Sequence, residues 1–219
     1  MKGIMKDASI LFAITLIAGV CLGAVHEVTK APIAAAQLAA ATATYKEVYP
    51  DAASFEETDD LKSAVEACDL SGQDFGNVSV DGAQEALDAS GNVIGYLITS
   101  TSNDGYNGTV QISVGVTKEN TLTGIGFLSI SETPGLGMKA KEPDFKDQFN
   151  GMKAQKLEVT KTDATADNQV QAISGATYTS KAPASDAEIQ AISGATFTSK
   201  ATTGAVNAAV YFVENCITQ

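Results

Sequence analysis

Hydrophobic and polar positions follow three different rhythms along this chain. The first has no alternation. Ala8 to Val25 is an apolar run of 18 residues, interrupted only by Ser9 and Thr15. At about 1.5 Å of rise per residue such a run nearly spans a hydrocarbon core of roughly 30 Å. A single transmembrane helix is therefore predicted. Lys2 and Lys6 precede it, and His26, Glu27 and Lys30 mark its far interface. The lysine bias predicts a cytoplasmic N-terminus with the rest of the chain outside. A cleaved signal peptide wants small residues before the cut, and Leu22 and Ala24 serve that poorly. Lipid attachment at Cys21 would follow a bulky Val20. The chain thus divides into an anchor, 1–30, and a domain, 31–219. Residues 31–43 are alanine-rich with Pro32 near their start. They predict a helix leading away from the membrane, continuing towards Tyr45 and Val48 and ending by Tyr49 and Pro50. Asp59 or Asp60 is placed to cap a second helix through Ala67. Residues 69–91 are rich in Gly, Asp, Ser and Asn and read as loops with short strands at most.

From Asn92 the period becomes two. Val93–Ser100 reads as a strand. In Thr109–Thr117 the residues Val110, Ile112, Val114 and Val116 fall on one face. Lys118 to Asn120 makes a turn, and Leu122–Ile130 is the next strand. Together these predict an antiparallel meander with one buried face. It ends at Glu132-Thr133-Pro134-Gly135-Leu136-Gly137, where a proline and two glycines open a loop. Residues 152–170 are polar.

The third rhythm is helical. Ala201, Ala205, Val206, Ala209, Val210 and Val213 predict a C-terminal helix. It follows a stretch that occurs twice. Residues 171–182 read QAISGATYTSKA and residues 190–201 read QAISGATFTSKA; only Tyr178 and Phe197 differ. An offset of 19 residues with two copies is too short for a solenoid, so the duplication is local. Gly175 and Gly194 permit a sharp turn or a close approach. After the second copy, Thr198 or Ser199 can cap the helix. A phosphate at Thr196 would then meet free N–H groups and the positive end of the helix dipole. The first copy runs into Pro183 instead, which predicts a turn.

Composition narrows the function classes. The formal charge is −12 and the sequence holds no arginine. Such a chain is a poor binder of phosphate backbones, which excludes a nucleic-acid partner. A hydrophobic share of 44 % supports a packed core. The cysteines, Cys21, Cys68 and Cys216, form no CxxC pair, and His26 is the one histidine. A metal site built on such ligands is not expected. Cys68 and Cys216 read as buried thiols, with pairing open if the domain is extracytoplasmic. No Ser-His-Asp set is available for hydrolysis. A threonine hydroxyl can instead accept a phosphoryl group and keep it.

The motif SGATxTS before a C-terminal helix resembles the flavinylation motif of the FMN-binding domain, found in RnfG-type subunits of Rnf electron-transport complexes and in NqrC-type subunits of sodium-pumping NADH:quinone reductase. Residues 105–116 and the ETPGLG loop with Phe145, Phe149 and Gly151 are similar to the same family, in the same order. The resemblance implies an α+β protein. A single N-terminal transmembrane helix would precede an extracytoplasmic FMN-binding domain with an antiparallel sheet and flanking helices. It implies FMN held covalently by a phosphoester at Thr196, with Thr177 as a second attachment point. Ser193, Gly194 and Ala195 would shape the turn presenting the threonine. Thr198 and Ser199 would contact the phosphate, and Lys200 would balance its charge. Glu132, Thr133, Gly135 and Leu136 would form the loop against the flavin ring. Implied partners are the integral-membrane and cytoplasmic subunits of an Rnf-type complex, the flavin transferase that matures it, and the lipid bilayer. The function implied is electron relay between ferredoxin and NAD, coupled to Na⁺ or H⁺ translocation. An NqrC-like role with quinone as acceptor is the alternative in the same class. An anchored surface-binding protein without redox chemistry is the alternative outside it.

Overall fold

The computed structural model describes the backbone of residues 2–160, 166–173 and 186–217. The chain forms two units, Met1–Thr42 and Ala43–Gln219. The first belongs to helix α1, Lys2–Val48. Within it Ile10–Lys30 is 21 residues long with a mean hydropathy of 2.0, long and apolar enough to cross a membrane. The apolar run and the alanine-rich stretch, expected as two segments, are one helix with Pro32 inside it. The alanines after Pro32 are strong helix formers, and the helix continues past the hydrogen bond that proline removes.

The second unit is built on a five-stranded antiparallel meander, in order β1 (Ser54–Glu56), β2 (Val78–Leu87), β3 (Val93–Ser102), β4 (Val110–Thr117) and β5 (Leu122–Ile130). Strands β3 to β5 fall where alternation predicts them. Strand β2 corrects the reading of 69–91 as loops. Its register slips between Val80 and Gly82, so Asp81 bulges out and the period of two is lost in the sequence. The β2–β3 hairpin closes on Asp88, whose Oδ1 accepts from the N–H groups of Ser90 and Asn92. Hydrogen bonds from Asn92, its side chain first, hold the Asp88 carboxyl below the usual carboxylate range.

One sheet face packs on helix α4, Asp186–Asn215. From Ala201 to Val213 this helix is buried on nearly every side, and its alanines let it lie close to the sheet. Val110, Ile112, Val114 and Val116 are fully buried. Ser100 Oγ donates to the Ala205 carbonyl at 2.9 Å, fixing the helix along β3. The other face receives the end of α1. A Cβ on Gly126 would stand 2.3 Å from Thr44 Cγ2 and 2.7 Å from Val48 Cγ2, so only a glycine admits the helix there. Tyr49 is buried beside it and its hydroxyl donates to the Ile94 carbonyl at 2.9 Å.

Helix α2, Asp59–Ala67, starts one residue earlier than expected, capped by Thr58 Oγ1 on the Leu61 N–H. Two 3₁₀ turns, Gly137–Lys141 and Asp147–Phe149, flank the short helix α3, Pro143–Lys146. Beyond them a parallel pair forms, β6 (Glu158–Thr160) with β7 (Gln169–Gln171). Two amide side chains act as its missing neighbours. Asn207 accepts from the Leu157 N–H and donates to the Leu157 carbonyl. Gln148 does the same for Gln171. The buried-thiol reading of Cys68 and Cys216 is corrected: they form a disulfide, Cα to Cα 5.6 Å, across a sequence separation of 148. It ties the end of α2 to the end of α4.

Candidate functional site

Two features of the site start from helix α4. The first is its junction with the loop after β5. Thr133-Pro134-Gly135-Leu136 is a turn closed by the Leu136 N–H on the Thr133 carbonyl at 3.1 Å. Gly135 has φ +77°, and a proline before such a residue is the signature of a type II turn. The chain then runs into Gly137, pressed against α4. A Cβ there would stand 2.5 Å from Thr198 Oγ1 and 2.8 Å from Glu132 Oε2. Glu132 is buried. Its Oε1 accepts from the Tyr106 N–H at 2.8 Å, and its Oε2 has no hydrogen-bond partner among the described residues. The three segments singled out in the sequence, around 106, 132–137 and 198, thus meet at one carboxylate.

The second feature is a cavity of about 740 Å³ on another side of α4. Its walls come from the loop before β2 (Asp74, Phe75), the loop after β3 (Tyr106), the start of β6 (Lys156–Val159) and α4 (Phe197, Lys200, Thr203, Asn207). Thr196, Lys200, Thr203 and Asn207 follow the i, i+4, i+7, i+11 spacing of one helix stripe. The half-buried Thr196 stands one turn before Lys200 on that stripe, at the end of the cavity and not among its lining residues. Gly204 makes the wall close: a Cβ on it would lie 2.4 Å from the Phe75 carbonyl oxygen. Phe75 packs edge-on against Tyr211, with centroids 5.9 Å apart, and carries Lys156 Nζ 5.9 Å above its ring. The Asn207 amide pins the opposite wall at Leu157. Behind this wall Thr203 is 2 % exposed, and its hydroxyl oxygen is buried with no hydrogen-bond partner among the described residues. A buried hydroxyl left unpaired is costly unless something else satisfies it.

The expected site residues are not all in one place. Glu132, Thr133, Gly135 and Leu136 form the loop against α4 at Thr198, but they do not line the cavity. Ser199 is fully buried and its Oγ accepts from the Ile173 N–H at 3.1 Å, so it joins the first copy to the second. The helix differs from expectation at its start. It begins at Asp186, so Thr198 and Ser199 lie inside it and cap nothing, and Ser193, Gly194 and Ala195 have helical backbone in place of a turn. The side chains of 193–195 lie outside the described residues, as does Thr177. Phe75, Lys156, Thr203 and Asn207 escaped the sequence reading, because a cavity wall drawn from four separate segments has no spacing signature. Tyr106 stood in a noted segment but had no assigned role.

Comparison with known proteins bears on this arrangement. Residues 105–185 match the FMN-binding domain. The G component of the Na⁺-translocating ferredoxin:NAD⁺ oxidoreductase complex of Acetobacterium woodii is 35 % identical over 84 % of this chain and 88 % of its own length. The G component of the proton-translocating ferredoxin:NAD⁺ oxidoreductase complex of Clostridium ljungdahlii is 30 % identical over 81 % and 88 %. The chain belongs to the RnfG-type family of ion-translocating oxidoreductase complexes. A crystal structure of the C component of a Na⁺-translocating NADH-quinone reductase from Parabacteroides distasonis matches at 23 % identity, covering 74 % of this chain and 69 % of that one with a TM-score of 0.45.

The cavity suits the cofactor this family domain is named for. Its volume falls within the usual range for cofactor sites. Phe75, Tyr106 and Phe197 offer aromatic walls, and Lys156 and Lys200 supply positive charge among the carboxylates of Asp74, Asp104 and Glu158.

Proposed function

We propose that the chain is a membrane-anchored electron-relay subunit whose FMN is esterified to Thr196 and lies in the α4 cavity. The observation that supports this is helical spacing: Thr196 stands one turn before Lys200 on the α4 stripe whose Lys200, Thr203 and Asn207 line the cavity. A phosphate on Thr196 has Lys200 one turn away, and the cavity beyond has room for the ribityl chain and ring. Bound there, the flavin supplies transfer of electrons singly or in pairs. The protein's own residues do the rest. Phe75 and Tyr106 exclude water, Asn207 keeps the Leu157 wall in place, and Glu132 holds the Tyr106 loop down. Attachment uses an activated flavin nucleotide, a phosphoric anhydride. Thr196 would hold the group through its side-chain oxygen, which would take the phosphoryl group as the anhydride bond broke, the hydroxyl proton leaving with the released nucleotide. A covalent tether keeps the ring at the site whatever the surrounding dilution.

The partners follow from the family. The relay passes electrons between a ferredoxin-side donor and NAD through the membrane and cytoplasmic subunits of an Rnf-type complex, coupled to Na⁺ or H⁺ movement. Lys2 and Lys6 orient the anchor with its N-terminus in the cytoplasm. The Cys68–Cys216 disulfide supports a domain outside, where oxidising conditions preserve such a bond. Fluorescence in a denaturing gel tests the assignment, since a covalent flavin survives denaturation. In protein made with its flavin transferase, Thr196→Val abolishes the fluorescent band and Thr177→Val leaves most of it. A band of equal strength in both variants defeats the choice of Thr196.

A further inference from the structure

We infer that the duplicated segment gives the domain two interchangeable registers, in which either copy fills the β7 position. The structure shows the first copy there. Val170 is fully buried and Ile173 nearly so. The hydrogen bonds that dock the segment use its backbone: Gln171 with the Gln148 amide, the Ala172 N–H on the Thr160 carbonyl, and the Ile173 N–H on Ser199 Oγ. The site therefore reads two apolar side chains, three positions apart, and an extended backbone. The second copy meets that requirement. Its Gln190-Ala191-Ile192 repeats Gln171-Ala172-Ile173, and Ile189 stands where Val170 does. Val-Gln-Ala-Ile and Ile-Gln-Ala-Ile differ by one methylene, and one position earlier Gln169, which pairs with Glu158, gives way to Glu188; two carboxylates would then face each other at the strand's solvent-exposed start, a small bias towards the first copy.

Exchange moves 19 residues from one side of the site to the other, since 192 − 173 = 19. In the observed register the 19 extra residues fall, by sequence position, after β7. In the exchanged register they lie between β6 and β7, and Ser193–Thr198 alone joins the strand to the helix. That connector contains Gly194, and the helix would then start at Thr198 or Ser199, whose hydroxyls are good caps. The price of redistributing loop length is small, because closure entropy depends only logarithmically on length. A sequence duplicated at the residues that dock makes two nearly equivalent states that a partner or a modification at either copy would bias. Thr196, the attachment point proposed above, lies within helix α4 in the observed register and in the short connector between strand and helix in the exchanged one.

Thermal unfolding of the full-length protein in detergent, without flavin, tests the exchange independently of the cofactor. Val170→Asp with Ile173→Asp disables the first copy, and Ile189→Asp with Ile192→Asp disables the second. Each pair alone is expected to lower Tm slightly, because the other copy takes over. All four together are expected to lower it by far more than the sum. Additive effects, or a first pair as damaging as all four, overturn the inference. Deletion of residues 174–192, which leaves one intact motif, is expected to keep cooperative unfolding with Tm at or above the parent's. Loss of cooperative unfolding in that deletion also overturns it, since the short connector would then fail to reach.

Discussion

Gly137→Ala isolates the contact between the ETPGLG loop and helix α4. The substitution adds one methyl group at a buried position whose backbone any residue can adopt. That methyl would stand 2.5 Å from Thr198 Oγ1, 2.7 Å from Glu132 Cβ and 2.8 Å from Glu132 Oε2. Real contacts of this kind sit beyond about 3.4 Å, so the loop or the helix must give by roughly 1 Å, more than a side-chain rotation at buried Thr198 supplies. Overpacking of this degree costs about 1–3 kcal/mol. For a domain of this size that corresponds to a fall in Tm of roughly 2–12 °C. Gly135→Ala is the control in the same loop. Its added methyl meets nothing within 4 Å, and its cost is confined to the φ of +77°, about 1–2 kcal/mol. Thermal unfolding followed by circular dichroism measures both. The decisive difference is in the helix. Gly137→Ala should also move amide exchange at Thr198 and Ser199, whereas Gly135→Ala should leave those residues protected. A Gly137→Ala protein with unchanged Tm and unchanged exchange would refute the claim that this loop is pressed on α4.

Other outcomes follow from the same structure. Cys68→Ser or Cys216→Ser opens a covalent loop of 148 residues; urea titration should show a loss of about 2–5 kcal/mol, matched by adding reductant to the parent. Burial, then the charges of Glu119 and Asp51, raise the Tyr49 hydroxyl above its usual pKa of 10.0. Its contribution is therefore full below about pH 10 and is lost as pH rises through the raised value, so Tyr49→Phe should flatten the alkaline fall of the urea midpoint above about pH 10. Thr203→Val removes a buried hydroxyl with no partner among the described residues; in a thermal scan the flavin-free protein should unfold at the same or higher temperature.

The legible parts of the fold are those whose signal is local. Strand β4 announces itself because Val110, Ile112, Val114 and Val116 alternate without a break and are all fully buried in the α4 core. The apolar run of α1 needs only length and composition. Strand β2 does not, because the bulge at Asp81 inverts its period midway. Strands β6 and β7 are three residues each, and what holds them is the Asn207 amide 50 positions away and the Gln148 amide 23 positions away. No window of sequence contains such information. The disulfide was open for the same reason: its partners are far apart until α2 and α4 are placed. Motif residues were found by resemblance, and the structure adds what resemblance omits. Glu132 binds the Tyr106 backbone, and the cavity lies beside the stripe of Thr196 on walls contributed by Phe75 and Lys156. The predicted start of α4 at Thr198 rested on a good cap, but the chain continues the helix back to Asp186. The duplication makes both choices available to one sequence.

Peptide mass mapping of the protein isolated from its own membrane bears most directly on the account. The peptide containing Thr196 should be heavier by one FMN less one water, and fragmentation should place the added group on the Thr196 oxygen. An unmodified Thr196 peptide recovered in full, with flavin absent or removed by denaturation, would contradict it.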